Sequence, residues 1–211
     1  MTKEELYQMG IEAATEFLAL NGIDAPCFLT YPEAAEKLKG READYFRRAT
    51  RPPATLVGRG TGLYYSGKVF VNLPRTAVAV TRPAYRSWSW PGWKVDRTPA
   101  GVVAHEVGHH VEAVLRRRKV LTKDDGAAWR LGLSNHKKRV SGYEPVPDEA
   151  WAETMRLFIL NPDLLRLAIP WRWFFLLARE LRPVERLMKK GWKKVLSNDN
   201  YTAAAVRWIE G

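Results

Sequence analysis

Apolar residues recur at three- and four-residue steps through the first twenty positions, with Leu6, Met9, Ala13, Phe17 and Leu20 on one stripe. That spacing predicts a helix over residues 3–20, stopped by Asn21-Gly22. Pro32 to Leu38 predicts a second helix, with proline in its first turn and carboxylates near its positive end, finishing near Gly40 or running on toward Phe46. From Leu56 to Val80 the period shortens. Leu63-Tyr64-Tyr65, Lys68-Val69-Phe70-Val71-Asn72 and Ala77-Val78-Ala79-Val80 are β-branched and aromatic runs bounded by glycine and proline, which predicts strands, with Ser66-Gly67 as a hairpin turn. No helix follows Gly58-Arg59-Gly60-Thr61-Gly62, so these glycines read as a strand connection and not as a phosphate-binding loop.

The helical period returns at Pro99 and persists to Arg118, opened by Thr98 as N-cap and closed by a basic run suited to its negative end. Residues 120–147 are polar, with a short helical segment at Ala127 to Leu133 and room for a loop over a site. Asp148 to Leu160 is a strong helix stopped by Asn161-Pro162. Further helices are predicted at Asp163–Ala168, Trp171–Leu181, Val184–Lys190 and Tyr201–Ile209, separated by Pro170, Pro183 and the Ser197-Asn198-Asp199-Asn200 turn. The expected fold is α+β: a small twisted sheet packed on a central helix, with a mainly helical C-terminal part. One domain over 1–211 is expected, with N-terminal helices at 1–55, the sheet at 56–98, the central helices at 99–162 and the helical remainder at 163–211.

Composition adjusts this picture little. A chain of 211 residues with 46% hydrophobic content can bury a sizeable core. The single cysteine, Cys27, cannot form an internal disulfide and reads as a small buried apolar residue between Pro26 and Phe28. The N-terminus lacks the basic start and apolar run of an export signal, and Ile169 to Ala178 is too short to span a bilayer and carries Arg172. A soluble, cytoplasmic protein is expected. The net charge of +11 suits acidic protein surfaces, nucleic acid or anionic lipid as partners, through Arg116 to Lys119, His136 to Arg139 and Lys189 to Lys194. No motif of a nucleic-acid module accompanies these clusters, so a solvated basic face is the plainer reading.

The chemistry concentrates on the central helix. His105-Glu106-Val107-Gly108-His109 places two histidines four residues apart, hence on one face, with Glu106 beside them. Three of the four histidines lie within His105 to His110. Two neutral imidazoles are half of a catalytic zinc site, and a neighbouring glutamate can take a proton from water in its open position. His110 points about 100° around the helix from His109 and falls outside the ligand set.

A third ligand must come from elsewhere. His136 sits among Lys137, Lys138 and Arg139, whose field disfavours a cation; Glu112 is displaced around the helix; Asp124 and Asp125 lie in a polar turn. Glu149 and Glu153 are better placed, four apart on a largely apolar helix, where buried carboxylates are costly without a cation. Glu149 is assigned as ligand and Glu153 as acceptor of the second N–H of a ligand histidine, with the reverse roles open. Trp88, Trp90 and Trp93 either line a cleft or form core under a loop.

The paired motifs, His105-Glu106-x-x-His109 and Asp148-Glu149-Ala150-Trp151-Ala152-Glu153-Thr154-Met155-Arg156-Leu157, resemble those of the zincin metallopeptidases of the Glu-zincin type, in particular the catalytic domain of anthrax lethal factor and its relatives. The later helix, with its stop at Leu160-Asn161-Pro162, is also similar to that of the phage-associated ImmA/IrrE metallopeptidases. The resemblance covers roughly Leu63 to Pro162. It implies a zincin-like fold, a Zn2+ cofactor held by His105, His109 and Glu149, Glu106 as general base, and Tyr143 assisting the transition state. The implied activity is hydrolysis of a protein or peptide substrate. If the strand at Lys68 to Asn72 is at the sheet edge over the cleft, it could pair with an extended substrate. The competing expectation is a basic regulatory or nucleic-acid-associated protein whose zinc is structural.

Overall fold

A computed structural model describes residues 2–50, 60–77, 97–136, 138–142, 144 and 146–184. Tyr143, Val78 to Val80, the Trp88 to Trp93 cluster, the two helices expected at Val184–Lys190 and Tyr201–Ile209, and the Lys189 to Lys194 run lie outside the described residues, Val184 apart.

Among the described residues the fold is α+β, with eight α-helices and one three-stranded sheet. Helix α1 (Lys3–Leu20) is held at its start by a capping box between Thr2 and Glu5, and its chain turns away through Gly22 at φ 60°. Strand β1 (Cys27–Thr30) leads straight into α2 (Tyr31–Lys37), because Thr30 is both its last residue and the helix cap. A separate helix, α3 (Gly40–Thr50), follows; the helix expected from Pro32 does not run on but breaks at Leu38 and restarts at Gly40, whose φ is 61°.

Strands β2 (Gly62–Tyr65) and β3 (Lys68–Val71) form the expected hairpin, with Ser66 and Gly67 both at positive φ as a type I′ turn requires. The strand order is β1-β3-β2, with β1 parallel and β2 antiparallel to β3. This corrects the expectation of an edge at Lys68 to Asn72. That strand is the centre of the sheet, hydrogen-bonded on both sides, because Cys27 to Thr30 forms a strand that the pattern alone does not announce. Cys27 is exposed and not buried: it sits level with Lys68 and the exposed Tyr65, at the hairpin end of the sheet.

Period-two alternation divides β3 between two cores. Val69 and Val71 join the main core, while Phe70 joins a smaller one with Leu29, Tyr31, Ala34, Phe46 and Ala49 from β1, α2 and α3. The sheet is therefore covered on both faces, as an uninterrupted apolar strand requires.

The main core surrounds α4 (Pro99–Arg117). From Pro99 to Gly108 every residue of this helix is buried, as expected of a helix that is apolar nearly all round. Thr98 caps it, its hydroxyl accepting from the Gly101 N–H at 3.1 Å. Helix α5 (Lys123–Asn135) is longer than the short segment expected, because Thr122 and Asp125 form a capping box at its start. Helix α6 (Pro147–Leu160) buries every residue from Ala150 onward, and α7 (Pro162–Ala168) and α8 (Pro170–Leu177) follow at the prolines. Arg172 of α8 is buried in an aromatic setting with Trp129 and Trp171, and no described helix is long and apolar enough to cross a membrane.

Candidate metal centre

Helices α4 and α6 approach closely because the crossing is made of small residues. A Cβ built on Gly108 would lie 2.8 Å from the Cα of Ala152 and 3.0 Å from the Cβ of Met155. The indole N–H of Trp151 donates to the Gly108 carbonyl at 3.0 Å, fixing the register of the two helices. Glu149 and Glu153, which flank Ala152 by one turn or less, are thereby carried to the histidine face of α4.

Four side chains then converge. His105 Nε2 lies 3.1 Å from Glu149 Oε2, His109 Nε2 lies 3.7 Å from that same oxygen, and the two imidazole centroids are 5.0 Å apart. His105 Nδ1 meets Glu153 Oε1 at 2.8 Å. His105, His109 and Glu149 each offer one ligand atom within 4.8 Å of the others, the one such group among the described residues. Tetrahedral zinc with ligands at about 2.0–2.1 Å holds them about 3.3 Å apart. The two spacings to Glu149 Oε2, 3.1 and 3.7 Å, bracket that value, so the donor set is of a kind and spacing that could hold such an ion. His109 and Glu149 are partly exposed, which leaves one side of the site open to water and substrate.

Glu153 and Arg156 are both fully buried, and Arg156 Nη2 donates to Glu153 Oε2 at 2.9 Å. Burial alone would raise the Glu153 carboxyl, but Arg156 and His105 together hold it well below the usual carboxylate range. An ionised Glu153 accepts from His105 Nδ1–H, and Nε2–H of the same ring donates to Glu149; in a neutral His105 that kept the Nδ1 proton, Nε2 would carry the lone pair. Sequence reading passes over Arg156, because a basic residue three positions after an acid is usually a solvated pair.

The histidines and glutamates of the cluster pair with one another. Burial pushes the His105 imidazole down, yet its contacts with Glu149 and Glu153 outweigh this and lift it to about 10. Glu149 is lowered to about 2, first by its hydrogen bond to His105 and then by His109. The 3.7 Å separation from His109 is an ion-pair distance and too long for a hydrogen bond.

Glu106 is almost wholly buried against the sheet. Its carboxyl is raised by burial, an effect that His105 and His109 partly offset, as does the backbone N–H of Tyr64. Gly62 makes room for it: a Cβ there would sit 2.5 Å from Glu106 Oε1 and 2.5 Å from Val102 Cγ1. His110 is turned away from the cluster, between the Tyr64 hydroxyl at 3.2 Å and the Asp24 carbonyl at 2.8 Å, and ties α4 to β2 and to the turn before β1.

The other ligand candidates are committed elsewhere. Glu112 pairs with Arg116, Asp125 with Thr122 and Arg179, and His136 stacks on Trp171 at the end of α5. Tyr143 lies outside the described residues. No protein-family model matches the chain, and comparison with curated proteins and with solved structures returns no match.

Proposed function

We propose that the protein is a zinc-dependent peptidase of zincin-like architecture, with His105, His109 and Glu149 holding Zn2+ and Glu106 as general base. The observation that supports the reading is the convergence of three ligand atoms from two helices, with the Glu153 carboxylate against His105 Nδ1. A zinc ion held there would acidify a bound water and polarise a carbonyl.

The chain's own groups supply the rest. Glu106 lies near enough to His105, His109 and Glu149 to feel their charges, and its burial raises its proton affinity, which suits taking a proton from water and passing it to a leaving amine. Strand β2, an edge of the sheet among the described residues, runs past Glu106 with Tyr64 alongside, so an extended substrate would add there and not on β3.

The test is cleavage of a proteome-derived peptide library by zinc-loaded wild type and Glu106→Gln. Turnover is expected from the wild type and loss of at least about 10³-fold from the variant, which removes the base. Absence of cleavage by the wild type, with a salt-dependent shift of labelled DNA, would favour a nucleic-acid-associated protein with structural zinc.

A further inference from the structure

A cavity of about 320 Å³ opens among α5, Arg139, Glu144, the start of α6 and α8. Its polar lining comprises Arg130, Ser134, His136, Arg139, Glu144 and Arg172. It lies at Pro147, two residues before Glu149 and so on the opposite side of the α6 start from the metal ligands.

The charge in this cavity is unbalanced. Its one carboxylate among the described lining residues, Glu144, is fully engaged: Oε1 accepts from the Val140 N–H at 2.8 Å, the Ser141 N–H at 3.3 Å and Arg172 Nη1 at 2.9 Å, and Oε2 accepts from Arg172 Nη2 at 2.8 Å. Arg172 Nη1 also donates to Thr154 Oγ1 at 2.9 Å, while its Nε is buried without a hydrogen-bond partner among the described residues. Glu144 thus neutralises Arg172 and makes no ion pair with Arg130 or Arg139. Neither of these has a carboxylate partner within ion-pair distance among the described residues. Two uncompensated guanidiniums remain, with the His136 imidazole stacked flat on Trp171 at 5.3 Å as a third nitrogen donor.

We propose that this cavity binds a phosphate monoester. Two guanidinium forks match phosphate oxygens, and the net charge of the lining matches a group carrying about −1.5 to −2 at neutral pH better than it matches a single carboxylate. The volume lies at the small end of the range for ligand pockets, about 300–1,000 Å³, which suits a phosphorylated side chain or a mononucleotide. A bound phosphate would join Arg130 of α5 to Arg139 of the segment that leads into α6.

Titration calorimetry on the full chain, with inorganic phosphate, O-phosphoserine and adenosine monophosphate at matched ionic strength, tests this. Saturable binding of at least one, weakened at least about tenfold in Arg130→Gln/Arg139→Gln, is expected. Tighter binding of O-phosphoserine or of the nucleotide than of inorganic phosphate supports the proposal and identifies the source of the phosphate. Both arginines are exposed, so the variant should keep the wild-type circular dichroism and melting temperature. Binding that is absent, or equal in the double variant, overturns the proposal. The metal site is not involved: Glu106→Gln and Glu149→Ala should bind phosphate as wild type does, so failure here and failure of the peptidase reading are separable.

Discussion

Glu106 shows how much one carboxylate depends on its neighbours. Gly62 is bare so that Glu106 can lie against β2, and Gly62→Ala would drive a methyl into the Glu106 carboxylate. We expect that variant to retain zinc but to lose about 10²-fold in turnover, the scale of a misplaced reacting group; unchanged kcat would contradict the role of Glu106. His105 carries a pH dependence of its own. Its metal-free value near 10 lies above the ordinary 6.5, so the contact with Glu149 and Glu153 stabilises the metal-free fold fully below about pH 6.5 and is lost as pH rises through 10. Zinc needs the neutral imidazole, so metal uptake at pH 7 should expel about one proton and apparent affinity should rise about tenfold per pH unit in that region. Calorimetry in buffers of different ionisation enthalpy reads that proton directly; no proton release would place His105 neutral beforehand.

The pairing of α4 with α6 is set by glycine and alanine at their crossing. A mid-helix glycine normally costs about 0.5–1 kcal/mol relative to alanine, so Gly108→Ala would gain that much if the site were open. It is closed, and the overpacking should cost about 1–3 kcal/mol by chemical denaturation while weakening zinc binding. A stabilised variant with unaltered zinc affinity would show that the crossing is looser than the geometry states. The buried Glu153 and Arg156 make the same point with charge. Arg156→Met leaves the buried Glu153 carboxylate with His105 as its remaining charged partner, and a loss of about 3 kcal/mol is expected by the same measurement. Periodicity makes the helices legible in the sequence, α1, α4 and α6 nearly to the residue, because each has an apolar stripe and a cap or proline at its start. Strand β1 is not legible: four residues ending on a helix cap leave no room for an alternating pattern, and without it β3 looks like an edge.

Among the described residues the proposed metal position lies where the main core meets solvent, between a helix buried on nearly every side and a second helix bearing two carboxylates. His105, His109, Glu149 and Glu153 were recognisable by spacing, since four-residue steps on two helices already define two faces. Arg156, Gly62, Gly108 and the Glu144 to Arg172 network were not, because each acts only through a partner distant in sequence or a contact that spacing does not reveal. A metal that clips α4 to α6 should stabilise the native state alone, so chelation is expected to lower the melting temperature, by an amount that follows the logarithm of the free zinc concentration. The most direct test of the proposed site is zinc affinity measured by competition with a chromogenic chelator for wild type, Glu149→Ala and Asp148→Ala. We expect one zinc per chain, a loss of at least about 10²-fold in Glu149→Ala, and wild-type affinity in Asp148→Ala, whose side chain is exposed and outside the cluster. Equal affinities in the two variants, or no zinc bound by the wild type, would contradict it.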